Sequence, residues 1–310
     1  MNKNLRAMIE GALTVAIYIM LLLLLLYTPL SIFSFVLIPT PFTIYAARNP
    51  WRYSILVGLL SLMVMIPFGL IWALPFLLYG CLVGFVLGYS FSKKHPAIQT
   101  GIFGFLATLV FFLLSLLFSS LIFNVNLVDE IVKMSEEMFR QSEMILGDSV
   151  QNALPPDFIE MFAAQMKDRF TALLIIYSFI LAFLNYLIGY GLLKRLGYPV
   201  SSFPPLSELG FPKSVLFYYL AAIILSFIPT FIETAWIRIT LYNILSVLEM
   251  VLLIQGVLFL FFIAKYKKVG KWLPILAVVL LFIPIIQYIL RLLGIFDLGL
   301  NLRQKLSSRS

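Results

Sequence analysis

Apolar residues in this chain neither alternate with polar ones, as on a half-buried strand, nor recur on one face, as on a surface helix. They run almost unbroken and then stop. Nine such runs fall at about 8–27, 30–46, 53–68, 71–91, 100–123, 170–193, 215–232, 239–264 and 272–293. A helix needs roughly 20 apolar residues to cross the hydrocarbon of a bilayer, and an outer-membrane barrel would show alternating segments of about ten. The pattern therefore predicts an all-α fold, a polytopic transmembrane helix bundle of about nine spans, or eight if the last run re-enters the membrane. The first run is too long for a secretory signal, and no small-x-small cleavage site follows Leu26.

One stretch departs from this pattern. Residues 124–169 carry nine acids against four bases, and Leu127, Ile131, Met134, Met138 and Phe139 recur at spacings of three to four. That spacing predicts an amphipathic helix. A second is expected from Asp157 to Phe170, after the Pro155-Pro156 break, with Phe158, Met161, Phe162 and Met166 on one face. The pair reads either as a hairpin resting on the outer surface of the bundle or as a lid over an outward cavity. A second polar stretch, 194–214, holds Pro199, Pro204, Pro205 and Pro212 and reads as an extended linker. The expected organisation is a six-span unit, 1–193, including the extracytoplasmic segment 124–169. A cytoplasmic linker, 194–214, a three-span extension, 215–296, and a polar tail, 297–310, complete it.

Composition sharpens the class. Hydrophobic residues make up 62% and charged ones 12%, with mean hydropathy +1.04; soluble domains carry about 25% charged residues. The net charge of +8 and pI near 9.5 are a topology signal, with no nucleic acid implied. Of 22 basic residues, 13 fall at Lys3/Arg6, Arg48/Arg52, Lys93/Lys94, Lys194/Arg195/Lys213 and Lys265/Lys267/Lys268/Lys271, all on one side of the nine runs. The bias of Lys and Arg toward cytoplasmic loops puts the N-terminus inside, in a bacterial cytoplasmic membrane, with the lipid bilayer as the first partner. One conflict follows: a full ninth span carries Arg303, Lys305 and Arg309 outside. Pro274 and Pro284 leave a re-entrant last segment open, but its length favours a full span. Cys81 is the only cysteine, which excludes disulfides and cysteine metal sites within one chain.

Small residues mark two helix faces for partner-helix packing. Gly80, Gly84 and Gly88 form a stripe on the fourth run, and Ala12 and Ala16 give an AxxxA spacing on the first; such stripes let helix backbones approach closely in lipid. The stretch Arg6-Ala-Met-Ile-Glu-Gly-Ala-Leu-Thr-Val-Ala16 opens a six-span unit with a proline-rich second span, a glycine-rich fourth and a long loop before the sixth. Over 1–193 this layout resembles the S components of energy-coupling-factor vitamin importers. Over most of 1–295 the chain is similar to the YybS-like family of predicted Firmicute multi-pass membrane proteins of unknown function. The S-component resemblance implies that Ala12 and Ala16 dock on a coupling-factor transmembrane subunit, which works with ATPases. It also implies that 124–169 gates a cavity for a small-molecule ligand of unknown identity. The three further spans depart from the six-helix pattern. The alternative is a structural or regulatory envelope protein, in morphogenesis or sporulation, that binds other envelope proteins through 124–169.

Ionisable groups inside lipid are functional candidates by default. Glu249 lies midway along the eighth run, with Arg291 and Gln287 as available partners. Gln255 sits roughly 600° further round the same helix at about 100° per residue, so Glu249 alone is expected to point inward. Its carboxylate reads as a proton-linked or cation-binding group, or as a neutral acid or ion pair that fixes packing. Asn185 in the sixth run is a candidate for a hydrogen bond between helices, and Trp72 for a ligand contact or an interface anchor. Enzyme chemistry is not expected. His95 is the only histidine, no GxxxxGK loop is present, and none of the nine runs contains an Asp. No cofactor or metal is implied.

Overall fold

The computed structural model describes residues 3–146, 158–229, 233–268, 270, 272–279, 281 and 283–307, and all regular structure in them is helical. Among the described residues five helices are long and apolar enough to cross a membrane: Asn4–Tyr27, Leu70–Ser92, Ala97–Leu121, Phe170–Arg195 and Ala235–Tyr266. Contacts divide the chain into two compact units, Met1–Asn126 with Tyr177–Phe203, and Leu127–Ile176 with Pro204–Ser310. The sequence division placed 124–169 with the first six runs; contacts group nearly all of it with the C-terminal part instead.

In the first unit, α1 (Lys3–Tyr27) is followed by α2 (Ser31–Leu37) and α3 (Pro39–Arg48), which share the second apolar run. The run divides at Pro39 because proline has no N–H to donate and its ring crowds the preceding turn. Next come α4 (Trp51–Met65), a 3-10 turn (Leu70–Ala73), α5 (Leu74–Ser92) and α6 (Ala97–Phe123). Gly69, at φ +66°, supplies the left-handed residue that enters the 3-10 turn. The core is aromatic: Tyr18, Phe42, Tyr79 and Tyr186 are all fully buried.

The second unit contains α7 (Leu127–Leu146) and α8 (Phe158–Asp168), the amphipathic pair. The Pro155-Pro156 break expected between them lies outside the described residues. The helix α9 (Phe170–Arg195) begins directly after, and α10 (Ser214–Ser226) and the 32-residue α11 (Ala235–Tyr266) follow the linker. Residues 127–176 belong here because the Asn243 side chain on α11 bonds both sides of the α8–α9 turn. Its Nδ2 donates to the Asp168 carbonyl at 2.6 Å, and its Oδ1 accepts the Ala172 N–H at 2.6 Å.

The ninth apolar run is not a single helix. It forms α12 (Trp272–Val279) and α13 (Pro284–Leu300), and a short α14 (Leu302–Ser307) follows. Proline at the start of α13 keeps Ile283 extended, at φ −95° and ψ 116°, since the residue before proline avoids the helical region. The direction of α13 is fixed by its partners on α11. Glu249 meets Arg291 and, further along both helices, Gln255 meets Asp297. Partners that keep the same order on both helices mean that the two run parallel, crossing where Leu252 and Gly256 meet Gly294 and Leu290. The end of α11 lies at the linker, where Lys265 pairs with Glu208 at 2.8 Å, so α13 ends there too. This corrects the expectation that a full ninth span, 272–293, carries the tail to the face opposite the linker. Arg303 and Lys305 instead share an end with the linker, as the positive-charge bias demands; Arg309 lies outside the described residues.

Candidate functional site

The first helix shows two faces. Ala7, Thr14, Val15, Tyr18 and Leu22 are buried in the unit, whereas Met8, Ile9, Ala12, Leu13 and Ala16 are exposed. A cluster near the start of α1 holds this rotation. Glu10 accepts from Arg6 at 2.9 Å, from Arg48 at 2.9 Å and from Asn49 Nδ2 at 2.9 Å, which ties α1 to the end of α3. The Tyr45 hydroxyl donates to the Ala7 carbonyl at 3.3 Å. Three partners on one carboxylate compensate for placing it at the edge of the apolar layer. No spacing in the sequence joins Glu10 to its partners Arg48 and Asn49.

The glycine stripe is used inside the chain. A Cβ at Gly84 would stand 2.7 Å from the Pro39 carbonyl oxygen, and one at Gly88 would stand 2.5 Å from that of Thr43. The backbone of α3 therefore lies directly on α5, and Gly80 faces Phe42 and Ile38 in the same groove. Above it Phe35 stacks on Tyr79, with centroids 4.8 Å apart. Asn185 on α9 donates to the Tyr79 hydroxyl at 2.9 Å and to the Leu181 carbonyl at 2.8 Å. Its own carbonyl oxygen finds no donor among the described residues. Trp72, half exposed on the 3-10 turn, shares no hydrogen bond with this pair; its position suits an interface anchor.

In the second unit, Glu249 and Arg291 meet at 2.7 Å, and the guanidinium also stacks over Tyr288 at 4.3 Å. Arginine thus fills the place a bound cation would take beside that carboxylate. Two turns further along the seam lies a more deeply buried group. Asp297, only 4% exposed, accepts from Gln255 and from Arg303 Nε at 2.8 Å. Arg303 reaches on to the carbonyls of Leu209 and Ser207, and Gln255 Oε1 accepts the Phe211 N–H at 2.9 Å. Beside the two polar groups the helices touch: a Cβ at Gly256 would overlap the Leu290 carbonyl, and one at Gly294 that of Leu252.

Two expectations change here. Gln255, set aside as facing elsewhere, is more buried than Glu249, because it lies between Asp297 of α13 and Phe211 of the linker. An Asp also sits inside an apolar helix, because α13 continues to Leu300, past the expected end of the last run. The available signal was the spacing of Arg291, Asp297 and Arg303, six residues apart along α13 and into α14.

The outer helices pair through Asp129 and Lys167, at 2.8 Å. The hydrogen bond from Lys167, and then its charge, hold the Asp129 carboxyl below the usual range for aspartate. Ile131, Met134, Met138 and Met161 remain exposed on this pair.

Apolar helices that bury polar side chains against one another and turn apolar residues outward define a multi-pass helical protein of the cytoplasmic membrane. The chain belongs to the family described as predicted membrane protein DUF2232, which it matches over residues 16–298. It is similar to uncharacterized protein YybS of Bacillus subtilis (strain 168), 29% identical over 312 residues, covering 98% of this chain and 99% of that protein. No solved structure matches it.

Proposed function

We propose that the protein is a non-enzymatic membrane component that docks on a second membrane protein through the outward face of α1, as the resemblance to S components implies. The observation that carries this reading is the exposure of Ala12 and Ala16. The glycine stripe of α5 is filled by the chain's own α3, but the alanine stripe is left for another helix. Small residues in an exposed row let a partner backbone approach closely in lipid, where association depends on packing. The partner in this reading is a coupling-factor transmembrane subunit with its ATPases, and the cargo is a small molecule taken from outside.

Crosslinked pull-down from native membranes tests it, with wild type compared against the Ala12→Leu/Ala16→Leu double variant. Both alanines are exposed, so the double variant should fold and melt as wild type does. Recovery of the transmembrane subunit and ATPases by wild type and their loss in the variant is the expected result. Equal recovery by both removes the α1 face from the argument. A second reading has its own observation in the exposed apolar residues of α7 and α8. In that reading the protein is a structural or regulatory envelope component, and envelope proteins are recovered whether or not α1 is altered.

A further inference from the structure

We propose a binding site for the phosphodiester of a membrane phospholipid at the turn between α8 and α9. The reading is independent of docking on α1. A cavity of about 270 Å³ lies there, lined by Gln165, Asp168, Arg169 and Tyr242, close to the smallest volumes that hold small ligands.

Its depth is set by the elements that make it. Amphipathic α8 ends at Asp168, and the apolar span Phe170–Arg195 begins two residues later. Across the cavity, Tyr242 stands in the second turn of the span Ala235–Tyr266, nearly two turns along from the exposed Trp236. Tyr, Trp and Arg at the ends of two spans mark the headgroup level of a bilayer. The Asn243 side chain bonds the backbone on both sides of the turn, so the wall is held in place before any ligand arrives.

The charges leave one cation over. Lys167 is taken by Asp129 at 2.8 Å, and Arg238 lies 4.0 Å from Asp168. The Arg169 guanidinium lies over the Tyr242 ring, 5.7 Å from its centroid, and has no carboxylate at ion-pairing distance among the described residues. Stacking on the ring leaves the in-plane N–H donors of a guanidinium available, and two of them match the paired oxygens of a phosphate. Gln165 adds a neutral amide donor and Tyr242 a hydroxyl. The Asp168 carboxylate on the same wall opposes a dianion. A singly charged diester carries half the charge of a phosphate dianion and suits one unmatched arginine beside one carboxylate. Acyl chains attached to that diester would follow the apolar surfaces that start at Phe170 and at Ala235. The chemistry therefore points to a lipid diester over free phosphate.

The test uses the full chain purified in a neutral detergent. Dihexanoyl phosphatidylglycerol is titrated against wild type, Arg169→Gln and Arg169→Lys, with bound lipid counted by native mass spectrometry. Arg169 is exposed, and unchanged melting without lipid establishes that the variants fold. Wild type is expected to retain one lipid, and Arg169→Gln to bind it at least about tenfold more weakly. Arg169→Lys should fall between, having lost the planar fork but kept the charge. Inorganic phosphate at the same concentration should not displace the lipid, and dihexanoylglycerol, which lacks the phosphate, should not bind. Equal binding by wild type and Arg169→Gln overturns the proposal. Displacement by inorganic phosphate makes this a free-anion site instead, and binding of dihexanoylglycerol an apolar contact.

Discussion

Asp297 is held on all sides by this chain: Gln255 and Arg303 donate to it, and Arg303 is itself bonded to the linker. Removing one member of such a group leaves a charge in a dry place. Asp297→Ala is expected to destabilise the protein by about 3–5 kcal/mol, read as a lower melting temperature in detergent. Asp297→Leu combined with Arg303→Met should lose less than Asp297→Ala alone, because neither charge is then stranded. The sequence pointed to Glu249 and Arg291, since an ionisable residue within an apolar run is conspicuous. It passed over Gln255, Asp297 and Arg303 for two reasons. Hydropathy ended the last run before residue 297, and helix-wheel geometry describes one facing neighbour where α11 has several.

For the helices, type and approximate ends were legible from hydropathy, and the small-residue stripes were legible as places of close approach. What fills each stripe was not. Gly80, Gly84 and Gly88 meet α3, whereas Ala12 and Ala16 stay exposed, and both patterns look alike as spacings. The amphipathic pair was legible too, from the three-to-four spacing of its apolar residues, but not the ion pair that joins it. Because Lys167 depresses the Asp129 pKa, this pair favours the joined helices above the carboxylate's unfolded pKa. That contribution is lost as pH falls through the lower, folded value. Hydrogen-exchange protection over 127–146 and 158–168, taken relative to the slower intrinsic exchange in acid, should therefore fall as pH is lowered below the ordinary aspartate value near 3.9. Asp129→Asn should already exchange quickly near neutrality and show a smaller further change on acidification.

For the whole chain, the class of protein was plain from composition, and the order of apolar runs gave the order of the membrane helices. The course of the last run was not, because hydropathy measures the length of a run and carries no direction. Two prolines in one run allowed either a crossing or a return. The order of partners between α11 and α13 brings the end of α13 back to the linker. A reporter fused after Ser310 is expected to give the same sidedness as one inserted in 194–214. Opposite signals from the two positions would contradict a parallel α11–α13 pair.

The parallel pair also has a consequence for how the protein is made. Gln255 and Lys265, which hold the linker at Phe211 and Glu208, precede Arg303 in the chain and are synthesised before it. Until then the linker carbonyls at Ser207 and Leu209 have no Arg303 to hold them. The C-terminal unit therefore closes only after α14 has been made, and a chain cut short before Pro284 would lack Arg291, Asp297 and Arg303 and the contacts they make to α11 and the linker.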